Sequence, residues 1–414
     1  MHDVIIVGGG IAGLRVGIGL LCEHPEADVL ILEKYDYMGG RVVSYRKGGN
    51  QWEIGAGRVS TSHARVLDLI DRYRLTWTDM AESAEWRGHG QIRSDQFAEL
   101  ARLYLDPLRR LGTSVLRTCT IGELLVRIHG QKRTRRFIEQ FPYWSEIHTL
   151  RADLALDSFA EEMESWSGFG TCREGLGAIL RGMVREFKSL GGRVEVNREV
   201  VDIIGSAHAE HVLCKDGGEY IARTVVLALH RDAVASMSHL KTWHVLRHLR
   251  MTPLLRMYAV FPRNADGKVR FADVPKTVTD SRLRFVIPID PKKGTIMISY
   301  TDGDDARYWM NMKSKRGADA VREEVMTEIR RVFSECDIPD PIEFKLYPWY
   351  SGCTYWLPGN YNVDRMSTEA LCIRPSLFCC GESFSRRQAW MEGALEHADM
   401  LLEDRRFRER VAMI

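Results

Sequence analysis

The sequence predicts an α/β protein of two interleaved domains. Three observations predict it: an apolar strand that runs straight into a glycine-rich turn near the N-terminus, several later segments in which apolar and polar residues alternate, and a long stretch without alternation between them. Alternation is the signature of strands packed on one face, and 3.6-residue spacing that of helices.

In chain order, residues 4–7 form an apolar strand, and a helical pattern (Leu14, Val16, Ile18, Leu20, Leu21) leads to a second strand over 28–32 that ends at Glu33. That is a βαβ unit of ordinary length, the start of a Rossmann-type domain. Residues 75–170 are rich in Arg, Leu and Glu without strand alternation, so they read as a helical insertion. A helix is expected over 175–190, with strands over 193–196, 199–204, 211–215 and 220–228. Strands of a second sheet follow over 256–261, 283–288 and 295–300, then an amphipathic helix over 318–333. The chain closes with an apolar strand over 376–380 and helix from Gln388 onward, charged over 396–411. The expected division is a discontinuous dinucleotide-binding domain (1–74, 171–230 and 356–414), the helical insertion (75–170) and a mixed-sheet substrate domain (231–355).

Composition narrows the class. The chain has 414 residues, 45% hydrophobic and 28% charged, which excludes a disordered or low-complexity protein. Its 58 Lys plus Arg against 56 Asp plus Glu give a net charge of +2, so no global field draws it to nucleic acid. Nine cysteines, an odd number with no CxxC spacing, argue for free thiols in a reducing compartment. No leader precedes the first strand and no apolar run is long enough to cross a bilayer, so a cytoplasmic protein is expected. No HExxH or Cys/His finger spacing indicates a metal site. No heptad seam announces an oligomer.

Gly8-x-Gly10-x-x-Gly13 fits the dinucleotide-binding turn. The first glycine allows the turn, the second lets backbone approach a pyrophosphate, and the third lets helix pack on strand; the helix N-terminus then offers N–H groups to phosphate. Glu33, at the end of the second strand, is placed to bind a ribose diol.

Further blocks give the dinucleotide. Gly39-Gly40-Arg41 follows Glu33, and Trp52-Glu53-Ile54-Gly55-Ala56-Gly57-Arg58 comes soon after. Near the C-terminus stand Cys380-Gly381-Glu382 and Trp390-Met391-Glu392-Gly393-Ala394-Leu395-Glu396. With these the chain resembles the flavin-dependent amine oxidase family over its first 60 residues, about 171–230, and the last 65. The resemblance implies FAD bound extended, with Gly40 and Arg41 near the adenosine and diphosphate. Gly55, Ala56, Gly57 and Arg58 would pass the flavin, with Val200 at adenine, Gly381 and Glu382 at the ribityl chain, and Met391 offering backbone N–H to the flavin ring. Arg41 and Arg58 are cations suited to a pyrophosphate.

The resemblance also implies an activity. Family oxidases move hydride from the carbon beside an amine nitrogen to the flavin, hydrolyse the imine and reoxidise with O2 to give H2O2; monoamines, polyamines and amino acids are the substrate classes. Two aromatic residues flank the amine, and Trp390 and Tyr355 match those positions, with Trp356 beside Tyr355 as a competitor. Cys353, in a Ser-Gly-Cys segment, is where some monoamine oxidases attach FAD covalently, although non-covalent FAD is the expectation here. A departure falls in the strand at 253–261, where Arg256 replaces the family's lysine near the flavin. Arginine stays charged and suits a water or a carboxylate. Carotenoid desaturases and protoporphyrinogen oxidases share the N-terminal blocks, so a non-amine substrate stays open, as does a non-catalytic flavin-binding protein that uses the insertion as a partner surface. Two charged runs read as structural: Lys132-Arg133-Thr134-Arg135-Arg136 as a solvated face, and Asp302-Gly303-Asp304-Asp305 as a turn, with attraction of a polycation as its functional alternative.

Overall fold

The computed structural model describes residues 1–80, 84–88, 94–164, 168–205, 209–271 and 274–413. Residues 81–83, 89–93 and 165–167 of the expected helical insertion lie outside the described residues.

An eight-stranded sheet carries the N-terminal unit. Its parallel run is Arg193–Glu195, Val29–Leu32, His2–Val7, Glu219–Leu227 and Leu377–Cys379. The central strands carry continuous buried apolar runs, residues 4–7 and Val29–Leu32, because both faces are covered there. Val4 and Ile6 pack with Leu14, Val16 and Ile18 of the Ile11–Glu23 helix and with the Gly177–Ser189 and Met391–Glu403 helices. Ile5 and Val7 face a different core, shared with the helical segment around Phe137 and Phe159. Gly13 sets how closely the first helix approaches: a Cβ there would lie 2.1 Å from the Gly8 carbonyl oxygen.

The second sheet runs Glu343–Trp356, Leu249–Val260, Thr295–Asp302, Phe285–Asp290, Thr277–Thr279 and Glu85–Arg87. Alternation along Leu249–Val260 splits its faces. Leu255, Met257 and Ala259 pack under the Gly303–Val332 helix, while Leu254 and Arg256 point the other way into a cavity. Pro253 has no N–H to give the ladder, and the partner strand is irregular there: pairing jumps from Thr252–Cys353 to Leu254–Trp349. The extra residues Tyr350, Ser351 and Gly352 line the same cavity.

Four sequence expectations need correction. The 14-residue strand Glu343–Trp356 is absent from the expected strands; it is only half-buried, and its alternation at residues 343–346 gives way to an aromatic-rich run that does not alternate. Strands Trp77–Asp79 and Glu85–Arg87 fall inside the stretch read as purely helical, each too short for alternation to register. The helix expected over 318–333 forms behind a break at Gly317, where φ is 87°, but a helical stretch from Gly303 that the sequence did not announce precedes it. The C-terminal helix breaks at Asp404, whose carboxylate accepts the Arg406 and Phe407 N–H groups and caps a new helix, Arg405–Val411.

All nine cysteines are free thiols. Among the described residues no helix is long and apolar enough to cross a membrane, and no cluster of side chains is suited to a metal ion.

Candidate active site

A cavity of about 1240 Å³ runs from the glycine turn to the second sheet. Ordinary single-ligand pockets hold roughly 300–1,000 Å³, so there is room for a long cofactor together with a small substrate. Of the sequence-predicted residues, Gly8, Gly10, Glu33, Gly40, Arg41, Gly55, Ala56, Gly57, Arg58, Val200, Arg256, Tyr355, Gly381, Glu382, Trp390 and Met391 all line it. Cys353 lines it too, whereas Gly13 is inside the helix–strand contact. The structure thus brings together segments more than 300 residues apart.

The glycine turn tests whether a dinucleotide fits. Gly10 has an ordinary φ of −80°, and a Cβ on it would meet nothing nearer than the Gly39 oxygen at 4.0 Å. Nothing in the protein requires glycine there, so the space belongs to whatever fills the cavity. Gly10 also caps the Ile11–Glu23 helix without any side-chain hydrogen bond, and no acidic residue occupies the first turn. Its N–H groups face the cavity end as an anion site. Glu33 is buried and accepts the Gly9 and Tyr35 N–H groups at 2.8 and 2.9 Å. Those bonds fix the carboxylate and leave lone pairs for ribose hydroxyls. The residues fit FAD.

The two arginines expected near pyrophosphate are both engaged with protein groups. Arg41 donates from Nη1 to the Gly352 carbonyl (2.8 Å) and pairs through Nη2 with Glu382 (2.9 Å). Glu382 is buried and also accepts the Thr354 and Ala389 N–H groups at 3.1 and 2.8 Å. Arg58 lies over two rings, 4.4 Å from the Phe169 centroid and 5.1 Å from that of Trp390. A planar guanidinium stacks this way where its alternative is partial desolvation.

Strand alternation puts Tyr355, not Trp356, on the cavity. Cys353 and Tyr355 face the cavity, while Thr354 and Trp356 face away. The Thr354 hydroxyl bonds Ser383, and Trp356 is fully buried with its indole N–H on the Ser385 carbonyl. Tyr355 donates its hydroxyl to Glu146 at 2.9 Å, and burial followed by the Glu146 charge pushes its phenol well above the ordinary range. Trp390 caps the Met391–Glu403 helix and stacks edge-on with His63, at 4.8 Å between centroids. Burial, then the Arg387 and Arg58 charges, bring His63 down to about 4, so it is neutral at working pH. The neighbouring Glu392 accepts the Arg65 and Val66 N–H groups, both at 3.1 Å, and so ties the last helix to Ala64–Arg72.

Arg256 is 8% exposed. Its Nη1 donates to the Glu53 carbonyl at 3.2 Å, and its guanidinium lies 5.0 Å over the ring of Tyr300, its directly paired neighbour on the next strand.

Sequence reasoning missed Tyr143, Glu146 and Tyr300, which line the cavity from the insertion and second sheet. Nothing in their local pattern marked them. Asp302 had been read with its neighbours as a turn. It lines the cavity instead and accepts the Trp144 and Ser145 N–H groups at 3.2 and 2.8 Å; burial raises its carboxyl. Asp305 is buried between Arg282 and Arg284, at 2.8 and 2.6 Å, so the acidic run is not an open lure for cations.

Comparison with known proteins gives the family. The model of flavin containing amine oxidoreductases matches residues 11–399. Polyamine oxidase 7 of Oryza sativa subsp. japonica is 23% identical over 396 residues, covering 84% of this chain and 82% of the relative. A solved putrescine oxidase, redesigned in its cofactor binding, aligns with a TM-score of 0.76 at 16% identity over 99% of both chains. A putative protoporphyrinogen oxidase from Exiguobacterium aligns with 0.74 at 15%, over 98% of this chain and 99% of that one. These likenesses in structure give the two-domain fold. With the match spanning most of its length, the chain belongs to the family of flavin-containing amine oxidoreductases.

Proposed function

We propose that the chain is a FAD-dependent amine oxidase acting on a small amine, with O2 as electron acceptor and H2O2 as product. The observation that carries this reading is that Tyr355 and Trp390 line the same cavity as the glycine turn around Gly10. Bound FAD would accept a hydride from the carbon beside the amine nitrogen and hand the electrons to O2.

The chain's own residues bind and orient. Gly10 and the first turn of Ile11–Glu23 would hold the diphosphate, Glu33 the adenosine ribose, and Val200 the adenine. Glu382 fixes Arg41 and the Thr354 and Ala389 backbone, which keeps the second sheet and the closing helix in register around the cofactor. Tyr355 and Trp390 present aromatic faces to the amine, Tyr355 held by Glu146 and Trp390 by Phe169 and His63. On this reading 1–74, 171–230 and 356–414 make the FAD domain, and 75–170 with 231–355 close over the substrate. FAD is held non-covalently, because burial pushes the Cys353 thiol well above its ordinary range and leaves little thiolate.

An amine gives up hydride only when neutral, so the rate of flavin reduction should rise between about pH 6 and 10. A rate independent of pH over that range contradicts the reading.

A further inference from the structure

Arg256 is a buried cation with no carboxylate partner. Among the described residues no carboxylate pairs with it; Nη1 donates to the Glu53 carbonyl, the Tyr258 hydroxyl is a second hydrogen-bonding neighbour, the Glu53 charge acts on it without an ion pair, and Nε has no partner. A guanidinium carries five donors and cannot lose its proton. Taking such a charge out of water without a counter-ion is strongly unfavourable. Candidate neutralisers on the protein are turned elsewhere. The Glu53 carboxylate accepts the Leu176 N–H at 2.9 Å and the Ser44 hydroxyl, and burial raises its pKa. The Tyr258 hydroxyl donates to the Glu53 carbonyl, and Tyr300 offers only its ring face. Glu146 and Asp302, two of the acids that line the same cavity, are occupied by the Tyr355 hydroxyl and by the Trp144 and Ser145 N–H groups.

The arginine is also held in place. It sits mid-strand, and a Cβ on Gly57 would fall 2.2 Å from its Nη1, so glycine at that position makes room for the guanidinium against the loop. A fixed, desolvated guanidinium that lines a cavity can offer the remaining N–H groups of its Nη atoms to a carboxylate.

We infer that Arg256 receives a carboxylate of the substrate, so that the amine oxidised is an amino acid or another amino-carboxylic acid rather than a polycation. This rests on the amine oxidase reading and names its substrate class.

The test is a titration of the holoenzyme with benzoate and butyrate against benzylamine and butylamine, read by the flavin absorption spectrum and by calorimetry. Saturable binding of the carboxylates is expected. Arg256→Met should raise their Kd at least about tenfold, the worth of a charge-assisted hydrogen bond, and should not raise that of the amines. Arg256→Lys should fall between, since it keeps charge and loses the fork. Flavin content and Tm check that the variants fold. A comparison of each amino acid with its methyl ester on the native protein keeps the test valid if they do not: the free acid should bind at least about tenfold tighter. Esters that bind as well as acids, or carboxylates with the same Kd in Arg256→Met as in the native protein, overturn the inference. Two failures separate. Amines without a carboxylate that reduce the flavin better than amino acids sink the substrate class and keep amine oxidation. Carboxylates that bind through Arg256 while nothing reduces the flavin keep the anion site and sink amine oxidation.

Discussion

Arg41 and Glu382 are 341 positions apart in the chain, and their side chains meet at 2.9 Å in the wall of the cavity. The pair links the loop after the second strand to the segment that opens the closing helix. Glu382 is buried and holds two backbone N–H groups besides the arginine. Removing its charge leaves Arg41, which is only partly exposed, without its counter-ion. Glu382→Gln should therefore lower stability by about 2–3 kcal/mol and shed flavin on gel filtration. Calorimetry and flavin content check this, and an unchanged Tm with full flavin would contradict it.

Acid should loosen the same region. The imidazole of His397 accepts the Gly381 N–H at Nδ1 (3.2 Å) and donates from Nε2 to the Ser367 carbonyl (3.0 Å). That geometry requires the neutral ring, and burial takes its pKa from 6.5 down to about 4. Between those values the unfolded chain binds a proton that the native chain does not. Stability therefore rises with pH through this window, is complete above it, and is lost as pH falls. His63 and His230 are shifted to about 4 as well, so they add in the same direction. From pH 7 to 5 each histidine costs roughly 2 kcal/mol. Tm should fall over that range, and His397→Gln, which keeps an acceptor and a donor, should flatten the fall by its share. A variant with the native pH slope would show that His397 carries none of it.

The legible parts of the fold were those whose physics is local. The first βαβ unit announces itself in thirty residues, because strand, glycine turn, helix and acid each follow from neighbours in sequence. The strand Glu343–Trp356 did not, because its shape comes from pairing with Leu249–Val260 and from a ladder break opposite Pro253. Asp302 looked like part of a turn since Asp-Gly usually is one. Its carboxylate is instead occupied by N–H groups 157 and 158 positions away, a tertiary fact. For the site, the motif residues line one cavity, and their partners on the protein were not legible. Arg58 is a case: the sequence gives a cation beside a glycine loop, and only packing with Phe169 and Trp390 says that it stacks on rings.

The proposed reading holds FAD without a covalent bond to Cys353, whose thiol pKa is raised by burial and then by the Glu382 charge. Denaturation in trichloroacetic acid should release all flavin to the supernatant, from native protein and from Cys353→Ala alike. Flavin fluorescence that stays with the polypeptide on a denaturing gel would contradict this.

Trp390 should matter through its ring. Trp390→Ala removes one aromatic face from the amine site, worth about 2 kcal/mol in a desolvated setting, or roughly thirtyfold in kcat/KM. Trp390→Phe should lose much less. Rapid-mixing measurements of flavin reduction distinguish these; equal rates in the native protein and the Ala variant would remove Trp390 from the substrate site.

The most direct test of amine oxidation is an anaerobic absorbance titration of the flavin-loaded protein with L-amino acids, monoamines and polyamines. The account predicts stoichiometric bleaching of the flavin by one amine class, amino acids before the others, and return of the colour with H2O2 when air is admitted. A protein that stays yellow against every amine would contradict it.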